Sequence, residues 1–300
     1  MTGTQSTETG GTANGAVLLD GTATARTIRA ELIRSVREFK ERHAIAPHLA
    51  AVLIGADPAS ETYVGMKQKA CGWVGMESSV HRLGADATQE QAEALVAALN
   101  EDPAVSGILV QHPLPKHLHE PAVLDKVSVE KDIDGISRMS LGGLINGEPG
   151  FPSCTPAGII ELLDRYNIPI EGKTAVVVGR SIILGKPVAM MLLNRHATVT
   201  ICHSRTASLG EFTRHADILV AAVGRPELIT AQMVKPGAAV VDAGYNRVEG
   251  RSGDVGDVEF DSVRSVASYI TPVPGGVGPM TIAMLLRNTL LAAQAAVQRR

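Results

Sequence analysis

The chain has 300 residues, 45% of them hydrophobic and 20% charged, so it can bury substantial cores, and its length favours two domains. The formal net charge of -3 argues against nucleic acid or an acidic membrane surface as a partner. Cys71, Cys154 and Cys202 lie far apart with no CxxC pair, which argues against a disulfide framework or a thiolate zinc site and favours a reducing compartment.

The N-terminal segment, MTGTQSTETGGTANG, lacks the basic start and the apolar run of a signal peptide. No stretch of the chain reaches the roughly 18 apolar residues of a membrane span. We therefore expect a soluble, cytoplasmic protein in which residues 1–15 form a disordered tail.

Strand and helix patterns alternate along the first half of the chain. In chain order the segments predict a short strand, a turn and a helix (AVLLDGTATARTIRAELIRSVREFKERH), a buried strand (HLAAVLIGA), a helix (SETYVGMKQKACGWVGM), a strand (SSVHRL), a helix opened by Thr88 (TQEQAEALVAALNED) and a strand ending in prolines (VSGILVQHPLP). This alternation predicts a mostly parallel sheet with helices on its faces.

The second half repeats the alternation after a connecting helix, CTPAGIIELLDRYN, at residues 154–167. KTAVVVGR, PVAMMLLNR and ATVTICHS predict a β-α-β unit, DILVAAV and GAAVVDAGY predict further strands, and PMTIAMLLRNTLLAAQAAVQRR predicts a long final helix that crosses back onto the first half. The predicted fold is therefore two α/β domains with a cleft between them: residues 16–153 plus 280–300, and a Rossmann-type domain over residues 154–279.

A glycine-containing turn, GRSIILGKP, follows the strand KTAVVVG, with Gly179 at the strand end and Gly185 just before the helix. A turn of this kind exposes backbone N–H groups at a helix N-terminus, which suits a pyrophosphate. The pattern is not GxGxxG, and an ordinary βα turn could carry the same glycines.

The end of the next strand, CHSRT, bears on the choice of nucleotide. An acidic residue at this place usually binds the ribose hydroxyls of NAD, whereas a 2′-phosphate needs donors or cations. Ser204 and Arg205 can donate to a phosphate here, with Arg180 available from the preceding turn. The residues therefore favour NADP over NAD as the cofactor.

Seven motifs carry a resemblance to a known family. YVGMKQK, VQHPLP, EKDIDG, CTPAG, VVVGRSIILGKP, CHSRT and TPVPGGVGPMT occur in the order and spacing of the methylenetetrahydrofolate dehydrogenase/methenyltetrahydrofolate cyclohydrolase family, which the chain resembles over essentially its whole length after the tail. The resemblance implies an enzyme of one-carbon metabolism and purine biosynthesis that oxidises methylenetetrahydrofolate with NADP and hydrolyses the methenyl product to 10-formyltetrahydrofolate. It also implies a homodimer, formed through the nucleotide domain, and a catalytic, folate-binding N-terminal domain.

The resemblance also implies roles for residues on the folate side of the cleft. Tyr63 would pack against the folate, Lys67 would be the catalytic group, and Gln111 would hold and tune that lysine. Asp134 would bind the pterin. The PGGVGP loop, with Gly275, Gly276 and Val277, would border the cleft near the substrate.

On the NADP side, the family's GRSxxxGxP loop falls on Arg180, Ser181 and Gly185, and the serine of its CHSxT motif falls on Ser204. These positions lie in the glycine turn and at the strand end that, by their own residues, already indicate a nucleotide site.

Helical geometry separates Lys67 from its neighbour Lys69. Residues four apart on a helix lie on one face, about 5 to 6 Å apart between Cβ atoms, whereas residues two apart face away from each other. Tyr63 and Lys67 therefore share a face that Lys69 does not join. A lone lysine is usually a solvated surface residue, and Lys69 keeps that interpretation.

Some residues depart from the family pattern or invite another interpretation. His112 stands where leucine is usual, beside Gln111, and Ser140 stands where asparagine is common. His112, His117 and His119 could indicate a metal site, but they lack the pattern of a known one, and we expect no metal. Cys154 and Cys202 are interpreted as small buried residues, and Asp132 as a loop or capping residue.

Two other functional classes stay open on the residues alone. An NADP-dependent dehydrogenase of another small molecule would explain the nucleotide half, but not Tyr63, Lys67, Gln111 and Asp134 together. The second class is a nucleotide-sensing protein without catalysis. A residue at position 67 that is unsuitable for catalysis would favour it, but the chain has lysine there.

Overall fold

The computed structural model describes residues 15–251 and 253–299 of the chain. Apart from Gly15, the disordered tail expected over residues 1–15 lies outside the described residues. The strands are β1 (Val17–Leu18), β2 (His48–Ile54), β3 (Glu77–Leu83), β4 (Gly107–Val110), β5 (Thr174–Val178), β6 (Thr198–Cys202), β7 (Ile218–Ala221), β8 (Ala239–Asp242), β9 (Asn246–Arg247), β10 (Asp254–Val255) and β11 (Tyr269–Ile270). The helices are α1 (Gly21–His43), α2 (Pro58–Val74), α3 (Gln89–Glu101), α4 (Glu120–Leu124), α5 (Arg138–Asn146), α6 (Cys154–Arg165), α7 (Gly185–Asn194), α8 (Leu209–Thr213), α9 (Phe260–Arg264) and α10 (Val277–Gln298).

Local signals set the boundaries of these elements. The predicted N-cap of α3 is confirmed: the Thr88 side chain accepts a hydrogen bond from the backbone N–H of Gln91, and the Thr88 backbone N–H donates to the side-chain oxygen of Gln91. Strand β4 ends at Val110, earlier than the apolar run predicted, because two prolines follow closely and cannot donate to a ladder.

Two parallel sheets organise the chain. A three-stranded sheet has the order β3-β2-β4, and a six-stranded sheet has the order β1-β11-β8-β7-β5-β6. Every pairing within these two sheets is parallel, while β9 and β10 form a separate antiparallel pair. The predicted α/β class, with a Rossmann-type second unit, is confirmed. Because parallel strands end at the same edge of a sheet, the loops that follow them lie side by side there.

The two ends of the chain cross between the sheets. Strand β1 pairs with β11, so Val17 and Leu18 extend the six-stranded sheet. Helix α10 packs against α1 and α6, and its buried residues Met280 to Ala293 share one hydrophobic core with α1, β2 and α2. The predicted domain boundaries, which place residue 16 onward in the first domain, stay a prediction.

Helix α10 is also long and apolar enough to cross a membrane by length and composition, which differs from the expectation that no segment would be. In this fold 56% of its apolar window is buried inside the protein. Its apolar face therefore packs in the core between α1 and α6.

Candidate active site

Helix α2 presents Tyr63 and Lys67 one turn apart. The helix begins after Asp57, whose carboxylate accepts a hydrogen bond of 2.8 Å from the Ser60 backbone N–H, and ends at Gly75, which has a φ of 82°. Lys67 is half-buried, whereas Lys69 is exposed. The two lysines thus have the different surroundings that the helical spacing predicts.

Gln111 holds the amine of Lys67. Lys67 Nζ donates a hydrogen bond of 3.0 Å to Gln111 Oε1, and Gln111 Nε2 donates one of 2.8 Å to the carbonyl oxygen of His112. Gln111 follows the last residue of β4, and its side chain is only 7% exposed. The amide is therefore fixed with its oxygen toward the lysine. His112, which departs from the family pattern, takes part in this arrangement through its backbone carbonyl oxygen.

Burial and neighbouring charge have opposite effects on the basicity of Lys67. Burial lowers the pKa of Lys67 below its ordinary value, and the negative charge of Asp134, followed by the Cys154 sulfur, acts in the opposite direction. Lys67, Gln111, Asp134 and Cys154 are thus neighbours, although they come from four separate parts of the chain. Sequence reasoning missed the place of Cys154, because its partners are far away in the chain.

The thiol of Cys154 lies in a site that keeps it protonated. It is 1% exposed, and Sγ donates to the carbonyl oxygen of Ile133 at 3.3 Å. Burial raises the pKa of the Cys154 thiol well above its ordinary value, and Asp134 raises it further. The interpretation of Cys154 as a small buried residue, not a nucleophile, agrees with this environment.

The turn that carries Asp134 is built around the buried carboxylate of Asp132. Asp132 accepts hydrogen bonds from the backbone N–H groups of Gly135 and Ser137, both at 3.0 Å, and from the Ser140 hydroxyl at 2.6 Å. Gly135 has a φ of 65°, and a Cβ there would lie 2.5 Å from the carbonyl oxygen of Phe151. Asp132 is therefore a capping residue, as expected, and Ser140 serves the same turn.

Two exposed tyrosines come from different parts of the chain and lie near each other. Tyr63 is 48% exposed, and Tyr245, in the loop after β8, is 62% exposed. Tyr245 donates a hydrogen bond of 2.5 Å to Asp254, which raises the pKa of Tyr245, and the nearby Tyr63 acts in the same direction. Sequence reasoning missed Tyr245. An aromatic residue at the end of a predicted strand was the available signal.

The loop before α10 packs on the beginning of α1. The Thr22 backbone N–H donates a hydrogen bond of 2.9 Å to the carbonyl oxygen of Gly275, and a Cβ on Gly21 would lie 1.7 Å from the carbonyl oxygen of Gly276. Gly275 has a φ of 102°, which favours glycine. The side chain of Val277 is only 5% exposed and packs in the hydrophobic core beside β5 and α7, so it presents little surface to a ligand.

The glycine turn between β5 and α7 allows close approach of the backbone. Gly179 has a φ of 139°, and a Cβ there would lie 2.2 Å from the carbonyl oxygen of Ala222. A Cβ on Gly185 would lie 2.4 Å from the carbonyl oxygen of Gly179. The Ser181 hydroxyl accepts hydrogen bonds from the backbone N–H groups of Leu184 and Gly185, both at 3.2 Å, and Arg180 is exposed. This turn therefore needs both of its glycines.

The turn after β6 lies directly beside the glycine turn, because β5 and β6 pair in parallel and the Gly179 N–H donates to the carbonyl oxygen of Cys202 at 2.9 Å. The His203 backbone N–H donates to the Thr206 hydroxyl at 2.9 Å, which orders the turn. Ser204 and Arg205 are exposed at its tip. The structure thus gathers the predicted phosphate donors at one edge of the sheet.

Two buried carboxylates organise the neighbouring loops, and sequence reasoning missed them. Asp257 accepts hydrogen bonds from the backbone N–H groups of Val223, Gly224 and Arg225, at 2.6, 3.0 and 2.8 Å. Asp242, at the end of β8, accepts bonds from three further backbone N–H groups, one of them that of Asp257 itself. Burial raises the pKa of Asp242 to about 6, against the effect of these hydrogen bonds.

No group of three or more histidine, cysteine or carboxylate side chains is placed to hold a metal ion in the described parts of the chain. His117 Nε2 lies 2.9 Å from the backbone carbonyl oxygen of Ala87, which belongs to a neighbouring loop. The expectation of a metal-free protein stays a prediction.

Two protein-family models match the chain, one for each half. The first, described as "Tetrahydrofolate dehydrogenase/cyclohydrolase, catalytic domain", matches residues 19–134. The second, described as "Tetrahydrofolate dehydrogenase/cyclohydrolase, NAD(P)-binding domain", matches residues 153–297.

Relatives and solved structures resemble the chain over nearly its whole length. A "Bifunctional protein FolD" from Moorella thermoacetica is 55% identical, over 93% of this chain and 99% of the relative. The crystal structure of a bifunctional methylenetetrahydrofolate dehydrogenase/cyclohydrolase from Campylobacter jejuni has a TM-score of 0.91 at 47% identity, over 93% of this chain and 99% of that one. The Trypanosoma brucei enzyme, solved with NADP cofactor and an inhibitor, has a TM-score of 0.90 at 40% identity, over 95% and 99% of the two chains.

Proposed function

The chain belongs to the tetrahydrofolate dehydrogenase/cyclohydrolase family, and from that membership we propose the roles that its residues take in the two reactions. The protein oxidises methylenetetrahydrofolate to methenyltetrahydrofolate with NADP, and it hydrolyses the product to 10-formyltetrahydrofolate. The other small-molecule dehydrogenase and the noncatalytic nucleotide sensor are both set aside, because models of this one family match both halves of the chain.

The turns after β5 and β6 fit NADP. The glycine turn leaves room only for hydrogen at Gly179 and Gly185, so backbone can approach a pyrophosphate. Ser204 and Arg205, both exposed, offer donors for a 2′-phosphate at the neighbouring strand end. When bound there, NADP supplies the acceptor for the hydride that leaves the methylene carbon.

The dehydrogenase step depends on positioning. Loss of hydride from the methylene carbon generates a cationic methenyl bridge and removes no proton from that carbon. The protein must therefore hold the reacting groups in near-attack geometry more than it must supply a base. We assign this work to the loop with Gly275 and Gly276 and to Tyr63, which packs against the folate.

The cyclohydrolase step needs proton transfer in both directions. Water that attacks the methenyl cation must lose a proton, and a ring nitrogen must gain one as the intermediate opens. A lysine can do both near neutral pH only if its pKa is lowered. Burial lowers the pKa of Lys67, and a cationic substrate beside it would lower it further. We assign the role of base and acid to Lys67.

Gln111 positions this amine without adding a charge. Its oxygen accepts a hydrogen bond from Lys67 Nζ at 3.0 Å, and its own N–H bond to His112 prevents the amide from turning. A carboxylate at the same place would stabilise the ammonium form and raise the pKa of the lysine.

Asp134 is assigned to the pterin. A carboxylate can accept two hydrogen bonds, one from an amino group and one from an adjacent ring N–H. Asp134 is half-buried on a turn that the Asp132 network holds, so the direction of its side chain is set before a ligand arrives. Its charge also reaches Lys67, which links substrate binding to the catalytic amine.

The single observation that carries these assignments is the Lys67–Gln111 hydrogen bond beside Asp134, in a site that lowers the pKa of the lysine. The test is to mix the purified protein with methylenetetrahydrofolate and NADP and to follow reduced nicotinamide and methenyl absorbance together. We expect both reactions, with methenyl absorbance rising only transiently. Reduced nicotinamide with an undiminished methenyl signal would contradict the assignment of Lys67.

The homodimer and the compartment are also proposals. The open edge of the six-stranded sheet at β6 carries Ile201, 36% exposed, and the adjoining α7 carries Leu193, 49% exposed, which supports self-association through the nucleotide-binding half. The three cysteines are buried free thiols, which supports a reducing, cytoplasmic location. The net charge of -3 supports the absence of nucleic-acid and membrane partners. Light scattering of the purified protein tests the dimer.

A further inference from the structure

A single buried side chain on α10 joins three segments of the substrate half. Asn288 is 0% exposed, and its Nδ2 donates to the carbonyl oxygen of Ile133 at 2.8 Å and to that of Pro152 at 3.0 Å. The same nitrogen lies 3.6 Å from Cys154 Sγ. The final helix therefore contacts the turn that carries Asp134 and the beginning of α6 through one amide.

The carbonyl group of Ile133 lies in the peptide bond to Asp134. A peptide unit is planar, so a hydrogen bond that fixes this carbonyl also fixes the direction in which the backbone enters Asp134. Cys154 Sγ donates to the same oxygen at 3.3 Å. On the other side of Asp134, the Asp132 carboxylate holds the backbone N–H of Gly135 at 3.0 Å. The backbone is thus held immediately before and immediately after Asp134.

The choice of asparagine at this position is not explained by the stability of α10. Asn288 Oδ1 is buried and has no hydrogen-bond partner among the described residues, and a buried acceptor without a partner destabilises a fold. A leucine of similar size would avoid that penalty inside an apolar helix. Only the donor end of the amide, which faces Ile133 and Pro152, benefits from being polar.

Helix α10 also adjoins the loop with Gly275 and Gly276, since it begins at Val277 directly after that loop. Asn288 lies eleven positions after Val277 on this helix, a rise of about 16 Å. One rigid element therefore connects that loop with the turn of Asp134.

We propose that Asn288 is a positioning residue that sets the orientation of Asp134 toward the pterin of the substrate. The inference rests on the role proposed above for Asp134. Asn288 itself is fully buried and acts through the Ile133–Asp134 peptide.

The test is a double-mutant cycle with Asn288→Leu and Asp134→Asn, read as the affinity for methylenetetrahydrofolate and, separately, for NADP. Thr289→Val is the matched control, because Thr289 is equally buried and its hydroxyl donates to the carbonyl oxygen of Leu285 in the same helix, at 2.8 Å. We expect Asn288→Leu to weaken folate binding about tenfold, with NADP binding and the Thr289→Val protein within about twofold of the parent. In the Asp134→Asn background, Asn288→Leu should weaken folate binding little further.

The outcomes separate the inference from the proposed function. If Asp134→Asn alone leaves folate affinity unchanged, the role proposed for Asp134 fails, and the inference fails with it. If Asp134→Asn weakens folate binding but Asn288→Leu is equally harmful in both backgrounds, or harmless in both, the positioning role is overturned while the proposed function stands. Asn288→Ser, a smaller change, gives the same readout if Asn288→Leu does not fold.

Discussion

Gln111 Oε1 accepts a hydrogen bond from Lys67 Nζ at 3.0 Å, so an uncharged acceptor is the direct partner of the buried amine. An amide oxygen accepts from the ammonium and from the neutral amine alike, whereas a carboxylate strongly favours the ammonium form. The lowered pKa of Lys67 therefore depends on this position remaining uncharged.

Replacing Gln111 by glutamate should move the pH profile of methenyl hydrolysis. The new carboxylate would raise the pKa of Lys67, so less neutral amine would be present at pH 7, and the rising limb of the profile should shift to higher pH by about one unit or more. The measurement is kcat/KM for hydrolysis at a series of pH values, corrected for the uncatalysed rate. Gln111→Met, which adds no charge, should lower the rate without moving the limb upward. An unmoved limb in Gln111→Glu would show that Lys67 is not the titrating base.

Lys67→Met should separate the two chemistries. The change keeps most of the length and apolar packing of the side chain but removes the amine, so hydrolysis should fall by about 100-fold or more, while some dehydrogenase activity stays and methenyltetrahydrofolate accumulates. Lys69 is exposed, and Lys69→Met should leave both activities within a few fold of the parent. The rates are measured separately with methylene and methenyl substrates. Hydrolysis at the parent rate in Lys67→Met, or failure of the Lys69→Met control, would refute the assignment.

Ser204→Asp should alter the choice of nucleotide. Ser204 is exposed at the end of β6, where a carboxylate would repel a 2′-phosphate but could accept from the ribose hydroxyls of NAD. We expect NADP binding to weaken relative to NAD binding by about tenfold or more. Dissociation constants for both nucleotides provide the check, and NAD serves as the internal control. If the affinities for NADP and NAD fell equally, this turn would not recognise the 2′-phosphate.

Asp242→Asn should change how stability depends on pH. Asp242 has an ordinary pKa of 3.8 and a folded-state pKa of about 6, so the folded protein holds its proton more tightly than the unfolded chain does. Its contribution to the free energy of unfolding is fully present below about pH 4 and is lost as the pH rises through 6, a change of about 3 kcal/mol.

Asparagine does not titrate, so the stability of the parent relative to Asp242→Asn should decrease between pH 4 and pH 7. Urea unfolding of the two proteins at matched pH values measures this difference, in which the contributions of all other carboxylates cancel. Parallel stability curves would show that Asp242 does not titrate in this range. We also expect a constant difference in the free energy of unfolding between the two proteins, because the asparagine side chain loses backbone hydrogen bonds that Asp242 accepts.

Local patterns in the sequence predicted those elements whose signal lies in residues close together in the chain. The apolar run of β2, Thr88 at the beginning of α3 and the glycines of the turn after β5 are of this kind. The fold class followed from their alternation. The hairpin of β9 and β10 was not predicted, since Asn246–Arg247 and Asp254–Val255 are mostly polar and carry no apolar strand pattern.

The parts of the site that escaped prediction depend on distant contacts. Cys154 gave no local sign of its proximity to Lys67, because 87 positions separate the two in the chain. Asp242 and Asp257 resemble ordinary surface carboxylates in the sequence, and only the folded chain surrounds them with backbone N–H groups. Lys67, Gln111 and Asp134 could be grouped beforehand only through the resemblance to a family, which supplies contacts that periodicity does not.

The crossing of the two chain ends has a consequence for synthesis on the ribosome. The hydrophobic core around α1, β2 and α2 includes buried residues of α10, from Met280 to Ala293, which are made long after those three elements. The half that is made first therefore cannot complete its core until α10 has been made, and its apolar surface stays uncovered until then. The half made second takes Ala16 to Leu19 from the beginning of the chain, and these residues are already present when its sheet forms. The core of the half made first is therefore completed only after the strands of the other half have been made.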